Sequence, residues 1–120
     1  NRDSYKTFAN APMLPGHRMA YFWEQYVPNP DERSDWRCAP FRAENHKDLP
    51  PALVISAGID PLVDEGRAYA EKLMSSGVQV EYKLFPRMTH AFFQAPGLLE
   101  DARIASNAAG AALRTAFKKR

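Results

Sequence analysis

The sequence predicts an α/β fold built on a parallel strand pair, and predicts that the pair is part of a larger sheet. Three observations carry this. The run Ala52-Leu53-Val54-Ile55-Ser56-Ala57 is almost continuously apolar between Pro50-Pro51 and Gly58, the pattern of a strand covered on both faces. Val78 to Phe85 alternates apolar with polar residues, the pattern of a strand with one wet face. Between them, Asp64 to Ser76 has helical spacing, with Tyr69, Leu73, Gly66 and Ala70 on one face. The unit is therefore β-α-β, with a right-handed crossover expected. Two strands and two helices make a poor independent sheet. The expected fold is a β-α-β-α portion of a larger parallel sheet, preceded by a helical and loop segment and incomplete on its own.

Each element has a local reason. Pro12, Pro15, Pro28, Pro30, Pro40, Pro50 and Pro51 cut the first fifty residues into short pieces. One helix fits between them, Gly16 to Tyr26, where Met19, Phe22, Trp23 and Tyr26 recur at i, i+3, i+4, i+7 and form an apolar stripe. Asn29 to Leu49 reads mostly as loop, because Asp, Asn, Arg and Pro interrupt every period. The central helix has Asp64 and Glu65 at its start and Gly77 just past its end. The last helix spans about Leu98 to Phe117, with Leu99, Ala102, Ala109, Leu113 and Phe117 on its expected core face. Glu100 and Asp101 suit its N-terminus and Lys118 to Arg120 its C-terminus. Residues 1–120 are thus expected to form part of one domain, with a helix and loop segment at 1–50 and the strand-helix-strand-helix unit at 51–120.

Composition narrows the function classes. Sixteen Lys and Arg against fourteen Asp and Glu leave a net charge of +2, too even for a nucleic-acid footprint. No apolar run approaches the roughly 20 residues of a membrane span. The single cysteine, Cys38, excludes an intrachain disulfide and a multi-cysteine zinc site. His17, His46 and His90 are scattered without metal-ligand spacing, so neither metal nor cofactor is expected. The chain starts at Asn1 rather than Met, so a longer native N-terminus is expected and the compartment is left open, the cytoplasm being favoured over secretion.

Two residues stand where chemistry is expected. Asp60 follows the buried strand in Gly58-Ile59-Asp60-Pro61-Leu62, and His90 follows the next strand in Arg87-Met88-Thr89-His90-Ala91-Phe92-Phe93. Sites in open parallel sheets form beyond the carboxyl ends of strands, so adjacent strands bring this carboxylate and imidazole to one rim. Such a pair can hold an imidazole tautomer and stabilise the imidazolium while the ring deprotonates a hydroxyl. On the two residues alone the plainer reading is preferred: Asp60 is a turn residue before proline, and His90 lies in a loop.

The surrounding motifs change that preference. Leu49-Pro50-Pro51-Ala52-Leu53-Val54-Ile55, then Asp60-Pro61-Leu62-Val63-Asp64-Glu65-Gly66, then Met88-Thr89-His90-Ala91-Phe92-Phe93 resemble the C-terminal half of the hormone-sensitive-lipase-like α/β-hydrolases. The resemblance extends back through Ser4-Tyr5, Phe22-Trp23, Tyr26 and Pro28, nearly the whole chain. It implies that Asp60 and His90 are the acid and histidine of a Ser-Asp-His triad, and their order agrees with that fold. Ala91 stands where the family usually has Gly, and Val63 where a basic residue is common. None of the six serines, Ser4, Ser34, Ser56, Ser75, Ser76 and Ser106, lies in G-x-S-x-G, and no His-Gly-Gly stretch is present. The resemblance therefore implies a nucleophile and oxyanion donors outside this chain. The implied partners are a small ester substrate, the missing N-terminal half, and a second copy docking through the Val78–Phe85 strand and the last helix.

The remaining candidates read as structural. Cys38 sits in a loop, His17 opens a helix, and His46 beside Asn45 and Lys47 is expected to be solvated. The aromatic helix face reads as core, with a minor substrate-lining role implied by the resemblance. Two other readings stay open: a ligand-binding protein on the same fold, and an interaction module in which Asp60 and His90 are incidental.

Overall fold

The computed structural model describes residues 2–118. In chain order the elements are α1 (Asp3–Thr7), α2 (Gly16–Tyr26), β1 (Ala52–Ile59), α3 (Val63–Ser75), β2 (Val80–Thr89) and α4 (Glu100–Lys118), with 3-10 turns at Pro30–Ser34, Pro40–Arg42 and Phe92–Gln94. β1 and β2 pair in parallel, from Ala52 opposite Val80 to Ala57 opposite Phe85. α4 lies on the face carrying Ala57 and Phe85, where Phe92, Ala102 and Ala105 complete a small core flanked by Ile55, Met88 and Leu99. α3 covers the opposite face, where Gly66 meets Ser56. A helix on each face is what the unbroken apolar run of β1 anticipates.

The register breaks at the carboxyl end. Ile59 pairs with Thr89, so two residues of β1 span the same step as four residues of β2. Gly58 sits at this bulge, and a Cβ there would lie 2.4 Å from the Pro86 carbonyl oxygen and 2.5 Å from its Cα. Only glycine admits that approach. Pro86 has no N–H to give to a ladder, and the bulge is where a strand loses least by that. The extra length carries Thr89 and His90 forward to the rim.

Several boundaries differ from the sequence reading. β2 starts at Val80 rather than Val78 because Val78 belongs to the end of α3. Its amide donates to the Leu73 carbonyl at 3.1 Å, and that of Gly77 to Met74 at 3.0 Å. Gly77 has φ +87°, completing a Schellman cap in which Val78 and Leu73 are both buried. β2 continues past Phe85 to Thr89 because the bulge accommodates Pro86. α1 was not anticipated, and the Asn29–Leu49 loop holds two of the short 3-10 turns. His46 is buried rather than solvated. Its Nε2 lies 3.0 Å from the Pro40 carbonyl oxygen and its ring is edge-on to Tyr69 at 6.0 Å.

Much apolar surface has no cover among the described residues. α4 buries Ala102 and Ala105, but Leu113 and Phe117 on its expected core face are exposed. No residue of α2 is buried. Among the described residues β1 pairs with a strand on one edge only. The radius of gyration is 15.6 Å, against about 13.6 Å for a compact domain of this length. No described helix is long and apolar enough to cross a membrane.

Candidate active site

Parallel pairing and the bulge bring Asp60 and His90 together. Asp60 Oδ2 lies 2.8 Å from His90 Nδ1, although 30 residues separate them. The other carboxylate oxygen, Oδ1, accepts from the Leu62 amide at 2.9 Å, and the Asp60 carbonyl accepts from Val63 at 3.1 Å, opening α3. Asp60 is 6% exposed, so both of its oxygens being engaged is what makes a buried carboxylate tolerable. The His90 side chain remains 37% exposed. A carboxylate at Nδ1 selects the tautomer with its proton there and leaves the Nε2 lone pair facing outward.

Two hollows converge on this pair. An open trough of about 1300 Å³ runs along Leu53–Ala57 of β1 and reaches Asp60 and His90. A second, of about 480 Å³, is lined by Leu14, Met19, Phe22, Trp23 and Tyr26 and also reaches His90. The aromatic face of α2 is therefore a wall of this hollow rather than a core stripe.

The acid loop is held from the far end of the chain. The buried Ser4 hydroxyl donates to the Pro61 carbonyl at 2.6 Å, and the Ser4 amide to Asp64 Oδ2 at 2.9 Å. The Tyr5 hydroxyl donates to Glu65. Burial, then the bond to and charge of Glu65, push the Tyr5 phenol well above its ordinary pKa. In the sequence Ser4 and Tyr5 contribute to the family resemblance but show no role, since nothing local links them to a loop some sixty residues on.

The other candidates make no contact with the pair, although Cys38 and Ser56 also line the trough. Cys38 Sγ rests 3.2 Å from the Asp35 carbonyl, and His17 is exposed. The Ser34 hydroxyl donates to Asp31, and those of Ser75 and Ser76 to Lys72. Among the described residues no group of three or more His, Cys, Asp or Glu could hold a metal ion.

The sequence profile of the alpha/beta hydrolase fold family matches residues 1–94. The chain belongs to the hormone-sensitive-lipase-like α/β-hydrolases. Among its relatives, the ethyl acetate hydrolase of Pseudomonas putida is 33% identical over 101 residues, covering 84% of this chain and 32% of the relative. Esterase LipI of Mycobacterium tuberculosis is 38% identical over 107 residues, covering 88% of this chain and 33% of the relative. The crystal structure of EstE1, a thermostable carboxylesterase cloned from a metagenomic library, superposes with a TM-score of 0.89 at 35% identity. That match covers 95% of this chain and 39% of the other. The chain thus spans about a third of the length of these curated relatives, and its two-stranded sheet is a portion of the α/β-hydrolase sheet.

Proposed function

We propose that this chain supplies the acid and the histidine of a carboxylic ester hydrolase acting on small or medium-chain esters. In this reading, residues 1–120 are the C-terminal part of one catalytic domain. The serine and the oxyanion donors come from sequence outside them, docked along the trough beside β1. His90 Nε2 takes the proton of that serine as its oxygen attacks the ester carbonyl. The protonated ring then gives the proton to the departing alkoxide, leaving an acyl-enzyme. A water, deprotonated by the same nitrogen, releases the acid. Asp60 keeps the ring in register and stabilises its charged form. The wall formed by α2 contacts part of the ester.

The reading is carried by the 2.8 Å contact between Asp60 Oδ2 and His90 Nδ1 at the carboxyl rim of two parallel strands, and the esterase names of the relatives agree with it. A ligand-binding protein has no use for that pair. The test is hydrolysis of p-nitrophenyl acetate and butyrate by the complete protein. His90→Ala should lower kcat by several orders of magnitude, and Asp60→Asn by about 10⁴ because it favours the wrong tautomer. Near-full activity in either variant would reject the assignment. The 120-residue chain alone should show no turnover, and turnover abolished by His90→Ala would point to a nucleophile within it.

A further inference from the structure

We propose that Ser4 is a positioning residue whose hydroxyl, acting through the Pro61–Leu62 peptide, sets the carboxylate of Asp60 on His90. The inference rests on the reading of Asp60 and His90 as the acid and histidine, and deepens it. The Pro61 carbonyl and the Leu62 amide belong to one peptide group, which is planar and rigid. Ser4 Oγ donates to that carbonyl at 2.6 Å. The amide on the other side of the same plane donates to Asp60 Oδ1 at 2.9 Å, and Asp60 Oδ2 meets His90 Nδ1 at 2.8 Å. One unbroken chain of hydrogen bonds therefore leads from Ser4 to the imidazole.

The chain is well placed to transmit both orientation and charge. Ser4 is 3% exposed, and Pro61 is the largest fully buried side chain, so water does not compete for the carbonyl. A bond accepted at a carbonyl oxygen polarises its peptide and strengthens the donor on the opposite side. Without the Ser4 hydroxyl the peptide plane is free to turn about its flanking bonds. The Leu62 N–H then swings off Oδ1, and the carboxylate loses the anchor that aims Oδ2.

Anchoring of α1 does not explain the hydroxyl. The Ser4 amide already bonds Asp64 Oδ2, and Tyr5 bonds Glu65. Both contacts survive in Ser4→Ala, so α1 should stay docked in that variant. Only the contact to the acid loop disappears.

The experiment uses the complete protein, labelled with 15N-histidine. The low-field Nδ1 proton of His90 is assigned by its disappearance in His90→Ala. Ser4→Ala should broaden or abolish that signal. It should lower kcat on p-nitrophenyl acetate about tenfold, a fraction of the ~100-fold that a 1 Å misplacement costs, with KM changed less than twofold. Ser4→Thr, which keeps a hydroxyl, should restore both. An intact Nδ1 signal with kcat within twofold in Ser4→Ala would overturn the proposal. If Ser4→Ala does not fold, Ser4→Val and Ser4→Thr make the same comparison at equal size, and matching Nδ1 signals in the two would overturn it. The failure of the catalytic reading is separable. Asp60→Asn with full turnover would reject that reading, while the Nδ1 signal judges Ser4 without reference to turnover.

Discussion

Ala91 follows His90 directly and holds φ 65°, ψ 7°, the left-handed region that costs a residue bearing a Cβ about 1–2 kcal/mol. Replacing it with glycine removes that cost and adds back roughly 0.4–1 kcal/mol of unfolded-state entropy. Ala91→Gly should therefore stabilise the complete protein by about 0.8 kcal/mol, the difference between the midpoints of these two ranges. For a protein larger than 150 residues that is a rise in Tm of roughly 1–4 °C. Ala91→Val should move in the opposite direction by 1 kcal/mol or more, because a β-branched side chain tolerates this backbone least. Urea titration of the three proteins at a common slope measures both changes. The backbone at His90 is already in the conformation glycine prefers, so kcat should stay within twofold of the starting protein. A glycine variant less stable than the parent would refute the reasoning, by showing that the Ala91 methyl contributes more by packing than its backbone costs.

Other consequences are equally open to measurement. Gly58→Ala must push the Pro86 backbone away, since the new methyl lands 2.4 Å from its carbonyl oxygen. It should lower stability by about 2–4 kcal/mol and separate Asp60 from His90, seen as loss of activity in soluble protein. Phe85→Ala removes the ring that packs on Phe92 at 5.1 Å and should cost about 3–5 kcal/mol in chemical denaturation. Phe22→Ala enlarges the hollow that ends on His90 and should shift kcat/KM towards longer acyl chains, by about tenfold or more for each methylene newly accommodated. An unchanged chain-length profile would remove α2 from the substrate wall. The 120-residue chain should sediment at micromolar concentration as an associated species, through the free edge of β1 or through β2 and α4. A compact monomer unfolding cooperatively would contradict this.

How much of this was legible in the sequence depended on how local the causes were. The apolar run at Ala52–Ala57 and the bounds of α2 and α3 were readable, because periodicity and flanking Gly and Pro residues decide them within a few positions. The shared rim of Asp60 and His90 followed from parallel pairing, but the bulge that carries His90 forward to meet the carboxylate left no mark on the pattern. Pro86 hid the second half of β2, since proline reads as a stop unless the opposing Gly58 is known to make a bulge. Val78 looked like a strand residue because its burial under α3 depends on a left-handed Gly77 beside it. His46 looked solvated among polar neighbours, although the partners that bury it, Pro40 and Tyr69, lie 6 and 23 positions away. The Ser4 contact spans 57 positions and leaves no mark on local pattern.

The bulge at Gly58 and Pro86 also bears on the order in which the protein acquires its chemistry. Asp60 and His90 are joined by one helix-strand excursion of 30 positions, α3 then β2, so closing it costs about 0.6 kcal/mol less entropy than closing the longer Ser4 contact. The Ser4 tether, with nearly twice the loop to close, is expected to form later. In that order the imidazole is aligned within the β1-α3-β2 unit and tightened by the tether afterwards. Substitutions at the trough should slow the docking proposed for the rest of the catalytic domain without altering the Asp60–His90 contact.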